Sequence, residues 1–270
     1  MPELPEVETI ARGLAKRVTG DVIESIWLGR KPEPLKSSAR EIAATVEHSR
    51  ILGVRRVGKH IVFDLEKNNA HSEKAQWIVH LGMTGRLQVC APQDEILKHT
   101  HAILKLESGR ELRFVDPRRF GRLSVSREFD AGGMEPLEVG LAPFLSMFRG
   151  RKTPIKSALL NQKLLRGVGN IYADESLFRA GIRPRRRAST VTRDQFAELL
   201  AALKEVLQEA IKLGGSSISD YVDDDGKEGF FQLQHRVYGR EGEPCLVCKT
   251  PIKRIVIAGR SSHYCPKCQK

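Results

Sequence analysis

Four of the five cysteines in this 270-residue chain fall near its end, as Cys245-x2-Cys248 and Cys265-x2-Cys268 with sixteen residues between the pairs. That spacing lets each pair give two sulfurs to one tetrahedron, as in a four-thiolate zinc ribbon. With every position filled by thiolate, no place is left for water or substrate, so the Zn2+ expected here is structural. The competing arrangement is two disulfides, which a reducing compartment disfavours. Arg254, Arg260 and Lys267 decorate the hairpin expected between the pairs. Such a basic hairpin suits a DNA groove or phosphate, although a solvated charged face has the same composition. Cys90, the fifth cysteine, reads as a buried structural thiol.

A second constellation sits at the start of the chain. A proline at position 2 is small enough for the initiator Met to be removed, which leaves a secondary amine whose ordinary pKa of about 7.7 to 8.0 keeps it largely available near neutrality. Glu3 follows at once and a well-patterned helix begins behind it, so the amine is fixed beside a carboxyl group. A secondary amine that attacks a sugar C1′ forms a cationic iminium after ring opening. That electron sink acidifies the C2′ proton for elimination.

Three further segments are weaker on their own. Arg166-Gly-Val-Gly-Asn170 puts two glycines before a helix N-terminus, where a phosphate can bind, but an ordinary helix-to-helix turn looks the same. Asp116-Pro-Arg-Arg-Phe-Gly121 sets two arginines beside an aromatic, suited to entering a base stack or simply to a surface turn. In His80-Leu-Gly-Met-Thr-Gly85, composition alone makes Met83 a core residue.

The elements that must position these residues divide at a change of texture. Apolar residues at helical spacing predict a helix over Pro5 to Val18, with Gly20 as its stop. Short alternating segments follow: 22–28, 51–57, 60–65, 77–81, 86–90, 102–106, 111–115 and 122–125, a pattern of a β-sandwich or barrel. A Gly- and Pro-containing stretch at 132–150 reads as a linker. Helices are then expected at 155–165, 171–180 and from Thr192, whose Thr-Arg-Asp-Gln is a capping box, to Gly214-Gly215. The expected organisation is α+β: a catalytic β-sandwich domain at 1–131, the linker, a helical domain at 151–235 and the zinc hairpin at 236–270.

Lys and Arg outnumber Asp and Glu by 45 to 33, a formal charge of +12, which favours a polyanionic partner. No apolar run approaches the roughly 20 residues of a spanning helix, and the acidic start MPELPEVETI is unlike a signal peptide. The expected place is the cytoplasm.

Taken together, PELPEVET at 2–9, Lys59, HLGMTG at 80–85, DPRRFG at 116–121, GVGNIYADESLF at 167–178 and VYGREGEPC at 237–245 resemble the bacterial formamidopyrimidine-DNA glycosylase family along the whole chain. The resemblance implies a helix-two-turn-helix domain between the sandwich and the zinc hairpin, with damaged duplex DNA in the cleft between domains. The implied activity is excision of oxidised purines followed by β,δ-elimination, without an organic cofactor or a membrane, by a nucleoid-associated monomer. Pro2 matches the Schiff-base nucleophile, Glu3 the acid that protonates the deoxyribose ring oxygen, Lys59 an assistant at the sugar phosphate, and Arg260 the residue of phosphate binding and δ-elimination. Met83, Arg118 and Phe120 match the set that fills the void left by the flipped base; His99, Arg151 and Asn170 match DNA contacts. Glu175 matches a buried acid near the catalytic amine, and Lys156 and the 216–231 loop match elements near the extruded base. The chain departs from the pattern at Arg151, where Lys is common, at Gly58, and in an acidic 223–229 stretch that bears on recognition of the flipped base. Two competing functions differ in testable ways. An endonuclease VIII-like glycosylase would release oxidised pyrimidines faster; a noncatalytic zinc-finger DNA-binding protein would never form a covalent adduct at Pro2.

Overall fold

The computed structural model describes residues 1–67, 73–216 and 229–270. Its chain forms two compact units: Met1–Asp130 with the described residues around Gly214 and Gly229, and Ala131–Leu213 with Phe230–Lys270.

The first unit opens with α1, Leu4–Val18, whose Pro5 occupies the first turn, where its missing N–H costs nothing. There follow β1 (Ile23–Leu28), α2 (Ala39–Val46), β2 (Ser49–Val57), β3 (His60–Lys67), β4 (Glu73–His80), β5 (Arg86–Cys90), β6 (Thr100–Leu106), β7 (Glu111–Val115) and β8 (Arg122–Ser126). They pair as two antiparallel sheets, β1-β6-β7-β5 and β2-β3-β4-β8. One apolar cluster joins both sheets with α1, and within it Phe63, Trp77, Phe114, Leu14 and Val7 are buried. Each such side chain contributes roughly 1.5–3 kcal/mol by leaving water. This is the expected β-sandwich under an N-terminal helix.

Helix α1 is also held electrostatically: Glu8 accepts from Arg56 Nε of β2 at 2.7 Å. Burial pushes the Glu8 carboxyl up, but the guanidiniums of Arg56 and Arg12 outweigh it and hold the pKa below the ordinary value. Cys90, expected to be buried, is half-buried at the end of β5.

The second unit contains α3 (Leu141–Phe148), α4 (Ile155–Leu159), α5 (Asn170–Arg179), α6 (Arg193–Lys212), β9 (Lys253–Ile257) and β10 (Arg260–Tyr264). Its start differs from expectation. The 132–150 stretch includes α3, with Phe144 and Phe148 buried and the Phe148 ring stacked on Phe196 of α6 at 5.3 Å. The helix expected over 155–165 stops at Leu159. Beyond it, Asn161 Oδ1 accepts the Lys163 N–H, and Gln162 Nε2 donates to the carbonyls of Leu160 and Val168. These local side-chain bonds replace the helical ladder with a turn. α6 starts on the expected capping box: Gln195 N–H donates to Thr192 Oγ1 at 3.3 Å and Thr192 N–H to Gln195 Oε1 at 3.1 Å. It stops before Gly214 and Gly215, both at positive φ. Of the acidic 223–229 stretch all but Gly229 lies outside the described residues, as does most of the 216–231 loop. Among the described residues no helix is long and apolar enough to cross a membrane.

Candidate functional site

Pro2 is buried immediately ahead of α1, whereas Met1 is exposed. In the unprocessed chain Met1 acylates the proline nitrogen, so a nucleophilic amine requires its removal. Glu3, also buried, donates its backbone N–H to Glu6 Oε2 at 2.8 Å. The other oxygen of Glu6 accepts the Ser216 N–H at 2.8 Å. One carboxylate thereby ties the start of α1 to the segment after α6. Gly215 makes the approach possible: its φ is +84°, and a Cβ there would stand 2.8 Å from Glu6 Oε1.

Lys59 follows Gly58 in the two-residue turn between β2 and β3, where Gly58 has φ +62°. The Lys59 side chain is largely withdrawn from solvent. Next to it, the rings of His60 and His80 lie 4.9 Å apart. Burial, then the charges of His60, Lys59 and Arg122, pushes the His80 pKa down to about 4; burial also lowers that of His60. Neutral at physiological pH, His80 accepts the Gly82 N–H at Nδ1 over 3.1 Å and fixes the turn that follows β4.

That turn carries Met83, 44% exposed, and the turn after β7 carries Phe120, 47% exposed. A core role for Met83 is thereby replaced by presentation to solvent. The Arg118 guanidinium lies 4.7 Å from the centre of the Phe120 ring, a cation–π contact. His99 is exposed at φ +72°, and its carbonyl accepts the Asp116 N–H at 3.0 Å. Arg113, buried with Glu111 at 2.7 Å, donates to the carbonyls of Asp94 and Glu95 and so pins the loop that leads to His99.

In the second unit the four Sγ atoms of Cys245, Cys248, Cys265 and Cys268 lie within 4.8 Å of one another. The separations of 3.4 Å for Cys248–Cys265 and 3.9 Å for Cys245–Cys268 are too long for disulfides. They match the sulfur spacing of about 3.8 Å in a tetrahedron with bonds of about 2.3 Å, so the set fits one structural Zn2+. Between the pairs β9 and β10 form the hairpin, reversed by Ala258 at φ +47° and Gly259 at φ +74°. Two positive φ values are what a tight I′ turn demands, and Ala258 bears the strain of a Cβ in that region. Arg260 is exposed right after it. Asn170, first residue of α5, donates from Nδ2 to Ser261 Oγ at 3.3 Å, which brings it beside Arg260. Arg151 donates from Nε to the Met147 carbonyl at 2.6 Å.

Three family models match this chain: the formamidopyrimidine-DNA glycosylase N-terminal domain at residues 1–123, the H2TH domain of the same enzymes at 133–222, and the zinc finger found in them and in isoleucyl-tRNA synthetases at 242–270. The formamidopyrimidine-DNA glycosylase of Solibacter usitatus is 47% identical, with both chains covered in full. The chain belongs to the formamidopyrimidine-DNA glycosylase family. Among solved structures, the family member from Thermus thermophilus shares 44% identity at a TM-score of 0.87, covering 99% of this chain and 98% of that one. A Lactococcus lactis family member, bound to DNA containing Fapy-dG, shares 33% identity at a TM-score of 0.90 over the whole of both chains.

Several residues that shape this formamidopyrimidine-DNA glycosylase fold escape a reading by composition. Glu6, Thr84 and Asp116 lie inside the family motifs, but as supports rather than as chemistry. Asp174 and Glu175 are adjacent acids, both buried in α5. Glu175 accepts the N–H groups of Arg236, Val237 and Tyr238, and burial outweighs these bonds to push its carboxyl up. Glu175 is buried as the resemblance implies; the signal that could have found Asp174 beside it is two carboxylates on a helix with no solvated face.

Proposed function

We propose that this chain is a bifunctional DNA glycosylase and AP lyase that excises oxidised purines, 8-oxoguanine and formamidopyrimidines, from duplex DNA. Family membership along the entire chain carries the reading. Its support includes relatives solved with DNA holding Fapy-dG, an abasic site or carbocyclic 8-oxo-G.

In this reading residues 1–131 are the catalytic domain, 132–150 the connection, 151–235 the helix-two-turn-helix domain and 236–270 the zinc hairpin. After loss of Met1, the Pro2 amine attacks C1′ while Glu3 protonates O4′, so that the C1′–O4′ bond breaks and the sugar ring opens. The nitrogen then loses its proton, and its lone pair forms the iminium as the bond from C1′ to the base breaks, the base leaving with the electron pair and taking up a proton. Loss of the C2′ proton then expels the 3′ phosphate, and a second elimination expels the 5′ phosphate. Lys59 serves at the sugar phosphate in the first elimination, and Arg260 binds phosphate for the second. Met83, Arg118 and Phe120 enter the stack vacated by the flipped nucleotide, while His99, Arg151 and Asn170 hold the backbone. A structural Zn2+ supplies no step; it holds the hairpin bearing Arg260. The protein acts as a cytoplasmic, nucleoid-associated monomer.

Borohydride trapping on a duplex with one 8-oxoguanine opposite cytosine tests this. The expected result is a lesion-dependent adduct mapped to Pro2. No adduct from processed, zinc-loaded protein would leave a noncatalytic DNA-binding protein, and faster release of thymine glycol than of 8-oxoguanine would move the substrate to oxidised pyrimidines.

A further inference from the structure

The turns that carry Met83 and Phe120 come from different strands, yet one side chain bonds to both. Asp116 is fully buried. Its Oδ1 accepts the Thr84 hydroxyl at 2.6 Å and, more weakly, the Arg118 N–H at 3.3 Å; its Oδ2 accepts the Gly121 N–H at 2.7 Å. Its own N–H reaches the His99 carbonyl, and its carbonyl stands 3.0 Å from His101 Nε2. A buried carboxylate is costly unless its oxygens are satisfied, and here satisfaction comes from the two turns it joins.

The backbones of the turns also touch. A Cβ on Gly82 would stand 2.5 Å from the Phe120 carbonyl carbon and 2.6 Å from the Gly121 nitrogen; one on Gly121 would stand 2.5 Å from Phe114 Cζ. Glycine at both positions permits a contact that no side chain would leave room for.

On the reading of Met83, Arg118 and Phe120 given above, we infer that Asp116 is a positioning residue for that wedge. Its carboxylate, with the Thr84 hydroxyl, locks the 80–85 and 116–121 turns into one rigid piece, with the backbone of His99 attached at its base. The wedge therefore enters the base stack preformed. Ordering two independent loops at the moment of insertion would otherwise draw on the binding energy that offsets base flipping.

The two arms can be cut separately. Asp116→Asn keeps an acceptor for Thr84 but turns an amide donor toward the Gly121 N–H; Thr84→Val removes the hydroxyl at nearly constant volume. Each is expected to lower excision of 8-oxoguanine from duplex DNA on the order of tenfold and to narrow discrimination among opposite bases. Cleavage of a single-stranded abasic oligonucleotide, which offers no stack to enter, is expected to stay within about twofold of wild type. Thr84→Ser restores duplex excision, and a 2-aminopurine beside the lesion reports slower stack entry in Thr84→Val. If Asp116→Asn fails to fold, the Thr84 pair carries the test. Equal losses on both substrates, or none on either, would overturn the inference. Normal duplex excision by Met83→Ala/Phe120→Ala would overturn the wedge reading beneath it; impairment there with normal Asp116→Asn and Thr84→Val would overturn the positioning role alone.

Discussion

Lys156 Nζ lies 2.7 Å from Asp174 Oδ1, with both side chains fully buried. Asp174 also accepts the Ser262 hydroxyl at 3.0 Å and the His263 N–H at 2.9 Å, and Lys156 donates to the Ser261 carbonyl at 2.6 Å. The pair thus fastens α4 and α5 to β10, one residue beyond Arg260. Lys156, which the family resemblance puts near the extruded base, also contacts the hairpin through the Ser261 carbonyl. Removing one partner leaves a buried charge, at a cost of about 3–5 kcal/mol. Lys156→Met and Asp174→Asn are each expected to lower the urea midpoint strongly, and the double variant less than the sum of the two. Additive losses would show that the charges do not depend on each other.

Metal removal acts on the same hairpin from its other end. Among the described residues a small apolar cluster, Phe178, Val237 and Ile252 with Cys245 and Cys265, lies beneath it, with Cys248 and Cys268 packed against it. Such a module has too little core to hold without its ion. One zinc per chain is expected by elemental analysis. Chelation or Cys248→Ser is expected to abolish DNA binding while the melting of the β-sandwich, followed through buried Trp77, is retained. Unchanged binding after complete zinc loss would remove the hairpin from the DNA-binding surface.

Much of this architecture was legible because its signals are local. The period-two strands, the apolar stripe of α1 and the capping box of α6 need no distant partner. Helix α2 was missed although Ser38 and Glu41 form a capping box, with the Glu41 N–H donating to Ser38 Oγ at 3.2 Å; the signal was present but short. Helix α3 was hidden by flanking glycines and by Pro143, which the first turn tolerates. The zinc ligands were legible because spacing alone brings them together. Exposure of Met83 was legible through the family motif but not from composition, because the neighbouring Thr84 is held by Asp116, a carboxylate 32 positions further along the chain. Burial of Lys156 was hidden for the same reason: its partner Asp174 belongs to another helix.

At the N-terminus, the roles proposed for Pro2 and Glu3 separate by substrate. Pro2→Gly replaces the secondary amine with a primary one and is expected to slow turnover on lesion DNA by at least about tenfold. Glu3→Gln removes the proton needed at O4′ in the closed sugar ring. It is expected to abolish base release yet keep strand cleavage at a preformed abasic site, whose sugar opens without the enzyme. Parallel gel assays on the two substrates decide it. Equal loss on both would place Glu3 in the fold of the N-terminus rather than in ring opening.

Acid is expected to loosen the fold through its buried histidines. His80 and His235 both have pKa values lowered to about 4, chiefly by burial, from an ordinary 6.5. A histidine with a depressed folded pKa binds its proton more readily in the unfolded chain. The stability it contributes is therefore complete above pH 6.5 and is lost as pH falls from there towards 4. The melting temperature is expected to be flat above about pH 6.5 and to fall steadily below it. His80→Asn keeps an acceptor for the Gly82 N–H without a titrating ring, so its profile should be shallower over that window. An identical slope in the variant would mean that His80 is not held neutral and that the anchor of the Met83 turn lies elsewhere.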